Sequence, residues 1–143
     1  MELNMTPAER IAFIADTARV GVLSIEAPDR GPVSSPVWYT LEADGTISFS
    51  VGEASRKAAL LRATHRATMC MQSEVAPYSY VTIEGAVTEL GGSSDESRRA
   101  RAHRYLGPEF GDIYHDSTKD EIEVTFALQP RRWASLDYNK LFG

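Results

Sequence analysis

Hydrophobic and polar positions alternate along much of this chain with the two-residue period of β-strands. In the longest such stretch, Tyr80 and Thr82 fall on one face while Val81 and Ile83 fall on the other. Short connections between most strands, such as the Asp44-Gly45 turn, favour antiparallel neighbours. The predicted strands cover residues 20–25, 33–41, 46–51, 67–72, 78–90 and about 121–128. We therefore predict a mainly β fold, a closed or nearly closed barrel of six antiparallel strands.

Helical signals interrupt the strands at three places. The first helix carries a full capping signature, formed by Thr6, Pro7 and Glu9. Ser55 is placed to cap a second helix that ends near residue 64, and Ser93 a third that ends near residue 108. A loop or short helix is expected over residues 109–119. Gly85 is expected to mark a bulge or bend in the longest strand.

Length and charge narrow the class of protein. At 143 residues the chain is long enough for one domain, which we take to span residues 1–143. A formal net charge of −5 argues against general affinity for nucleic acid. No apolar run approaches the roughly 20 residues of a membrane-spanning helix, and the first residues lack the features of a signal peptide. A single cysteine, Cys70, fits a reducing compartment, so we expect a cytoplasmic protein.

Two groups of polar residues are assigned no metal-binding or ligand-binding role. His65, His103, His115 and Cys70 match no compact zinc pattern, so no metal site is predicted. Four arginines crowd the third helix, at positions 98, 99, 101 and 104. We interpret them as a solvated helix face, in preference to a site for an acidic partner or for the end of a long anionic cofactor.

The segment from Ser50 to Leu61 carries the main candidate for chemistry. It leaves a strand, passes a polar turn and opens a helix in which Arg56 and Lys57 occupy the first turn. A helix N-terminus carries a partial positive charge and favours acidic neighbours, so cations there suit a bound anion. The alternative is a surface helix that begins with two poorly placed charges. We favour a phosphate site.

Several segments in order resemble the pyridoxamine 5′-phosphate oxidase-like flavin-binding split barrels. They are Asp44-Gly45, the strand 47–50, Ser55-Arg56-Lys57-Ala58, the strand 67–71 and the strand 80–87. The similarity extends from about residue 17 to residue 138. It implies a six-stranded antiparallel split barrel that forms a homodimer, with two cofactor sites at the interface.

The same resemblance assigns roles to particular residues. Arg56 and Lys57 hold the cofactor phosphate, and Ser50 and Val51 lie along the ribityl chain and the ring edge. Trp133 and its neighbours reach the partner subunit's site. The complete set of implied cofactor-binding residues is Ser50, Val51, Ser55, Arg56, Lys57, Gln72, Ser73 and Trp133.

The function implied is oxidoreduction, in which hydride passes between the bound ring and a small conjugated substrate. Two cofactors compete: flavin mononucleotide (FMN) and the deazaflavin coenzyme F-420. Tyr78, Tyr80 or Tyr138 are candidates to donate a proton or to wall the pocket, and no catalytic residue is assigned. The tail from Pro130 to Tyr138 lacks the histidine of true pyridoxamine 5′-phosphate oxidases, which argues against vitamin B6 synthesis. Two alternatives stay open: a non-catalytic carrier of flavin, deazaflavin or haem, and an FMN-dependent enzyme similar to pyridoxamine 5′-phosphate oxidase.

Overall fold

A computed structural model describes residues 2–143 of the chain. These residues form seven strands in one antiparallel sheet, three α-helices and a final 3-10 turn. The strands are β1 Val20–Ile25, β2 Val33–Trp38, β3 Thr40–Leu41, β4 Ile47–Gly52, β5 Arg66–Ser73, β6 Ser79–Gly91 and β7 Glu123–Asp137. The helices are α1 Pro7–Ala15, α2 Arg56–Thr64 and α3 Asp95–Ser117, and the turn is Tyr138–Leu141. None of these helices is both long and apolar enough to cross a membrane.

The sheet has the strand order β2-β1-β5-β6-β7-β4-β3, and its two edge strands follow each other in sequence. Only Tyr39 separates β2 from β3, so one chain segment joins the two edges. The mainly β, antiparallel prediction is confirmed, but the count of six strands is wrong. The single strand expected over residues 33–41 divides at Tyr39, because its first part pairs with β1 and its second part with β4.

Apolar side chains fill the space that the sheet encloses. Phe49 and Phe126 from the paired strands β4 and β7 lie with ring centroids 6.1 Å apart and are 1% exposed. Tyr39 is equally buried, and its hydroxyl donates to the Ile14 carbonyl oxygen of α1 at 2.7 Å. This bond fixes the point where β2 passes into β3. A filled interior leaves the outside of the barrel and its ends for a ligand.

The longest strand pair, β6 with β7, contains the bulge expected at Gly85. The register shifts between Glu84 and Gly85, so that Glu84 lies opposite Arg132 and Gly85 opposite Pro130. The strand predicted to end near residue 128 continues to Asp137. Pro130 does not end it because the proline lies at the bulge, where a missing ladder hydrogen bond is tolerated.

Helix α3 folds back on itself at Gly107, which has φ 81° and ψ 170°. This backbone region is open essentially to glycine alone. The two halves are joined by side-chain contacts: His115 to Asp95 at 2.8 Å and Arg99 to Asp112 at 2.9 Å. Of the loop or short helix expected over residues 109–119, the structure shows a helix, which ends at Ser117. We call the two halves together the α3 hairpin.

Candidate functional site

A cleft of about 1040 Å³ lies beside the barrel, between the end of β4, the start of α2 and the α3 hairpin. The end of β2 and the segment before β7 complete its walls. Its volume is close to the upper limit for small-molecule and cofactor sites. Of the cofactor-binding residues predicted from sequence, four line it: Ser50, Val51, Ser55 and Lys57.

The start of α2 forms one wall of the cleft. Ser55 caps the helix as predicted: its Oγ accepts from the Ala58 N–H at 3.1 Å and donates to the Gly52 carbonyl at 2.6 Å. The amides of Arg56 and Lys57 occupy the first two helical positions, which have no carbonyl partner within a helix. Because the Ser55 proton is already engaged, these amides are the groups that suit an anion.

Lys57 and Arg56 face different surroundings. Lys57 is half-buried and lines the cleft, and its Nζ donates to Ser35 Oγ of β2 at 3.1 Å. Within residues 2–143, no carboxylate lies within 4.0 Å of that ammonium group. Arg56 is exposed and lies outside the cleft lining. Of these two cations, Lys57 is therefore the one that a single chain offers to a ligand at the start of α2.

Two arginines of α3 line the opposite wall of the cleft, although the sequence predicted that they lie on a solvated helix face. Arg98 and Arg101 have side chains only 14% and 16% exposed, and both approach Glu123, at 3.8 and 2.9 Å. Arg101 also donates to Ser50 Oγ at 3.4 Å. For these two residues the solvated-face interpretation is wrong, whereas Arg99 is 55% exposed. Arg98, Arg101 and the buried Ala102 are spaced so that they lie on one face of the helix. This spacing is the sequence signal that distinguishes the two arginines from the exposed Arg99.

Aromatic side chains join the α3 hairpin to the end of β2. The Trp38 ring stacks on Tyr105, with centroids 4.9 Å apart and an interplanar angle of 9°. Tyr114, from the other half of the hairpin, lies 5.1 Å from Trp38 at 52°. Burial raises the pKa of Tyr114, and the nearby Glu123 raises it further, so its hydroxyl stays protonated at neutral pH. Tyr114 and Trp38 both line the cleft.

Comparison with known proteins identifies the family. The family model of pyridoxamine 5′-phosphate oxidase matches residues 7–137, more than nine-tenths of the chain. This protein belongs to the pyridoxamine 5′-phosphate oxidase family. The resemblance drawn from the Ser55-Arg56-Lys57 segment and its neighbouring strands is thus confirmed, and among curated proteins none matches the chain.

Solved structures with the same fold include proteins of different description. A conserved hypothetical protein from Mycobacterium tuberculosis is 25% identical with a TM-score of 0.75, covering 99% of this chain and 90% of its own. An F-420 reductase is 16% identical with a TM-score of 0.68, covering 86% and 94%. A FAD-binding protein from Mesorhizobium loti is 17% identical with a TM-score of 0.63, covering 92% and 93%. At such low identity the last two establish the fold alone.

The remaining predicted residues of this family member lie away from the cleft of their own chain. Gln72 and Ser73 end β5 and are exposed and half-buried respectively. Trp133 lies opposite Ile83, packs against the core, and has the Arg10 guanidinium 4.8 Å from its ring centroid. The candidate proton donors Tyr78, Tyr80 and Tyr138 are also outside the cleft lining. The structure brings in Trp38, Arg98, Arg101 and Tyr114 instead.

Replacing Tyr105 by phenylalanine is expected to destabilise this family member by about 1–2 kcal/mol. The Tyr105 hydroxyl accepts from the Tyr39 N–H at 3.0 Å and lies 2.8 Å from the Arg19 carbonyl, which accepts from it. Without the hydroxyl, the Tyr39 amide loses its acceptor at the point where β2 passes into β3. Urea unfolding measures the change. Tyr78→Phe, at a side chain 54% exposed, is the control, and an equal loss in both variants would contradict the assignment.

Proposed function

We propose that the protein binds a flavin-type coenzyme, F-420 or FMN, and transfers hydride between its ring and a small conjugated substrate. The observation that carries the proposal is Lys57, a half-buried cation without a carboxylate partner among the described residues, beside the first amides of α2. A phosphate group matches this arrangement in charge and in hydrogen-bonding capacity. Membership in a family that includes oxidoreductases supports the redox role.

The residues of the cleft fit such a coenzyme. Lys57 and the amides of α2 bind and orient a phosphate, while Ser50 offers a hydroxyl along the wall between α2 and α3. Val20, Pro36 and Trp38 supply an apolar wall for a planar ring. Tyr114, which lines the same cleft, holds a proton at its hydroxyl. The bound coenzyme supplies the hydride chemistry, and the protein supplies binding, orientation and exclusion of water.

We also propose that the protein works as a homodimer. The side of the sheet opposite the core carries a row of small and apolar side chains in register across four strands: Val22, Cys70, Thr82 and Ala134. Val22 is 42% exposed, and the neighbouring Val20, 45% exposed, also lines the cleft. A copy packed on this face by a two-fold axis would lie next to both clefts.

The dimer gives the outlying predicted residues a role. Gln72 and Tyr80 are opposite each other on the same outer face, where they are available to a partner. Arg132 and Ala134 flank Trp133 and are exposed, while the Trp133 ring packs inward. We therefore expect the neighbours of Trp133, rather than its ring, to reach the partner subunit's cleft.

Spectroscopy and titration test the proposal together. Titration of the purified protein with FMN and with F-420, followed by absorbance and fluorescence, is expected to give saturable binding of at least one coenzyme. Light scattering is expected to give twice the 15.8 kDa mass of one chain. Oxidation of the bound reduced coenzyme by added enones or quinones distinguishes an enzyme from a carrier. Binding of neither coenzyme, or a haem spectrum alone, would overturn the proposal.

A further inference from the structure

We infer that Arg101 forms a second anion subsite in the cleft, which selects coenzymes that carry a further anionic group beyond the first phosphate. This inference rests on the proposed function, because it takes the first phosphate to lie at Lys57 and the start of α2. It concerns the opposite wall, where the α3 hairpin covers the outer side of β4.

The opposite wall carries more buried positive charge than negative charge. Arg98 and Arg101 face the single carboxylate of Glu123, and the three side chains are 14%, 16% and 19% exposed. Two guanidinium groups therefore share one carboxylate in a largely desolvated place. Such a surplus positive charge is costly unless another anion accompanies it. The acidic residues on the rim do not correct it, because Asp120 and Glu121 are exposed and Glu53 lies 3.5 Å from Arg62.

Hydrogen bonding distinguishes the two arginines. Arg98 donates to the Thr118 carbonyl at 2.7 Å and so fastens the end of the α3 hairpin to its start. Arg101 donates one hydrogen bond to Glu123 at 2.9 Å and one to Ser50 Oγ at a long 3.4 Å. A guanidinium group has five N–H donors, so most of the capacity of Arg101 is left for a ligand. Arg98 is thus a positioning residue, and Arg101 is the binding residue.

The position of Ser50 links the two subsites. It bonds to Arg101 and to Thr125, at 2.7 Å, and lies five residues before the Ser55 cap. A ligand whose phosphate sits at α2 therefore reaches Arg101 by extending along the end of β4. FMN ends at one phosphate and leaves Arg101 unused. FAD continues with a second phosphate and F-420 with carboxylates, and a guanidinium group recognises both kinds of anion.

The test compares three coenzymes with three variants. FMN, FAD and F-420 are titrated into the full-length protein and into Arg101→Gln. They are also titrated into Arg101→Gln/Glu123→Gln, which keeps one unbalanced guanidinium group, that of Arg98, and so separates the net charge of the wall from the donors of Arg101. Arg99→Gln removes a charge from the same helix outside the cleft and is the matched control. Thermal unfolding of each variant checks the fold.

Both Arg101 variants are expected to bind FMN within about twofold of the unaltered protein, while binding of F-420 or FAD falls on the order of 10- to 100-fold. Arg99→Gln is expected to change none of the three. A loss confined to F-420 identifies carboxylates as the recognised group, and a loss with FAD extends it to phosphate. Equal losses for all three coenzymes, or no loss at all, overturn the inference while leaving the proposed function standing. Failure of the unaltered protein to bind any coenzyme overturns both.

Discussion

Replacing Gly85 by alanine is expected to destabilise the protein by more than about 4 kcal/mol, the range of severe core and backbone disruptions. A Cβ atom built on Gly85 lies 1.8 Å from the backbone oxygen of Gln129 and 3.2 Å from the backbone nitrogen of Arg131. Neither atom belongs to a flexible side chain, so relief requires β6 and β7 to separate at their bulge. These two strands form the longest pairing in the sheet. Urea unfolding followed by circular dichroism measures the loss.

Gly31 provides the matched control for this substitution. A Cβ at Gly31 meets no atom within 4 Å, so Gly31→Ala is expected to change the free energy of unfolding by less than about 0.5 kcal/mol. Similar stability in the two alanine variants would show that the bulge does not constrain the fold. A change at Gly85 also affects the core, because a strand that slips by one residue turns every side chain to the other face. Trp133 would then leave the core.

Local signals predicted most of the elements. One local prediction is wrong, because the cap of α3 is Ser94 and not Ser93, and the larger exceptions have a common cause. The Thr6 capping box, the Ser55 cap and the Gly85 bulge each depend on residues close in sequence, and each is confirmed. The division at Tyr39 depends on two strands that pair with opposite edges of the sheet. Residues 33–41 alone contain no signal for that choice. Closure of the sheet depends on contacts between segments distant in sequence. The local sequence pattern did not predict these contacts.

In the candidate site, too, the local features were predictable from the sequence and the long-range ones were not. The wall that we propose to bind phosphate was predictable because a cap, free amides and a cation occur within three residues, from Ser55 to Lys57. The opposite wall was not, because Arg101 and Trp38 come from segments about sixty residues apart. The fold back at Gly107 brings Tyr105 and Tyr114 onto the same Trp38 ring. A glycine followed by a proline predicted the end of a helix, but not a hairpin that forms a wall.

The helix start also explains why two adjacent cations differ. Successive residues of a helix point about 100° apart, and α2 buries Ala58 and Leu61 against the barrel. With those two side chains inward, Lys57 lies beside β2 and within the cleft, whereas Arg56 points to solvent. Sequence alone assigned both to the phosphate. Of the two, a single chain brings only Lys57 into the cleft, and we expect Arg56 to act through its charge at longer range.

Lys57→Ala is therefore expected to weaken binding of the phosphorylated coenzyme on the order of 100-fold, the equivalent of about 2–3 kcal/mol for a charge-assisted hydrogen bond. Arg56→Ala, one residue earlier on the same helix, is expected to weaken it less than about tenfold. The double variant is expected to lose slightly more than Lys57→Ala alone. Fluorescence titration with FMN, repeated with riboflavin, which has no phosphate, makes the measurement specific.

Comparison with riboflavin shows whether a loss of FMN affinity comes from the phosphate contact. If Lys57 binds the phosphate, riboflavin binds the unaltered protein and Lys57→Ala with equal affinity, because neither complex contains the contact. If Lys57 instead maintains the shape of the cleft through Ser35, both ligands lose affinity together in Lys57→Ala. Equal losses for Lys57→Ala and Arg56→Ala with FMN would show that the partner subunit, or the field of the whole helix, sets the binding energy. The half-buried ammonium group beside free helix amides predicts a loss that is largest in Lys57→Ala and confined to the phosphorylated ligand.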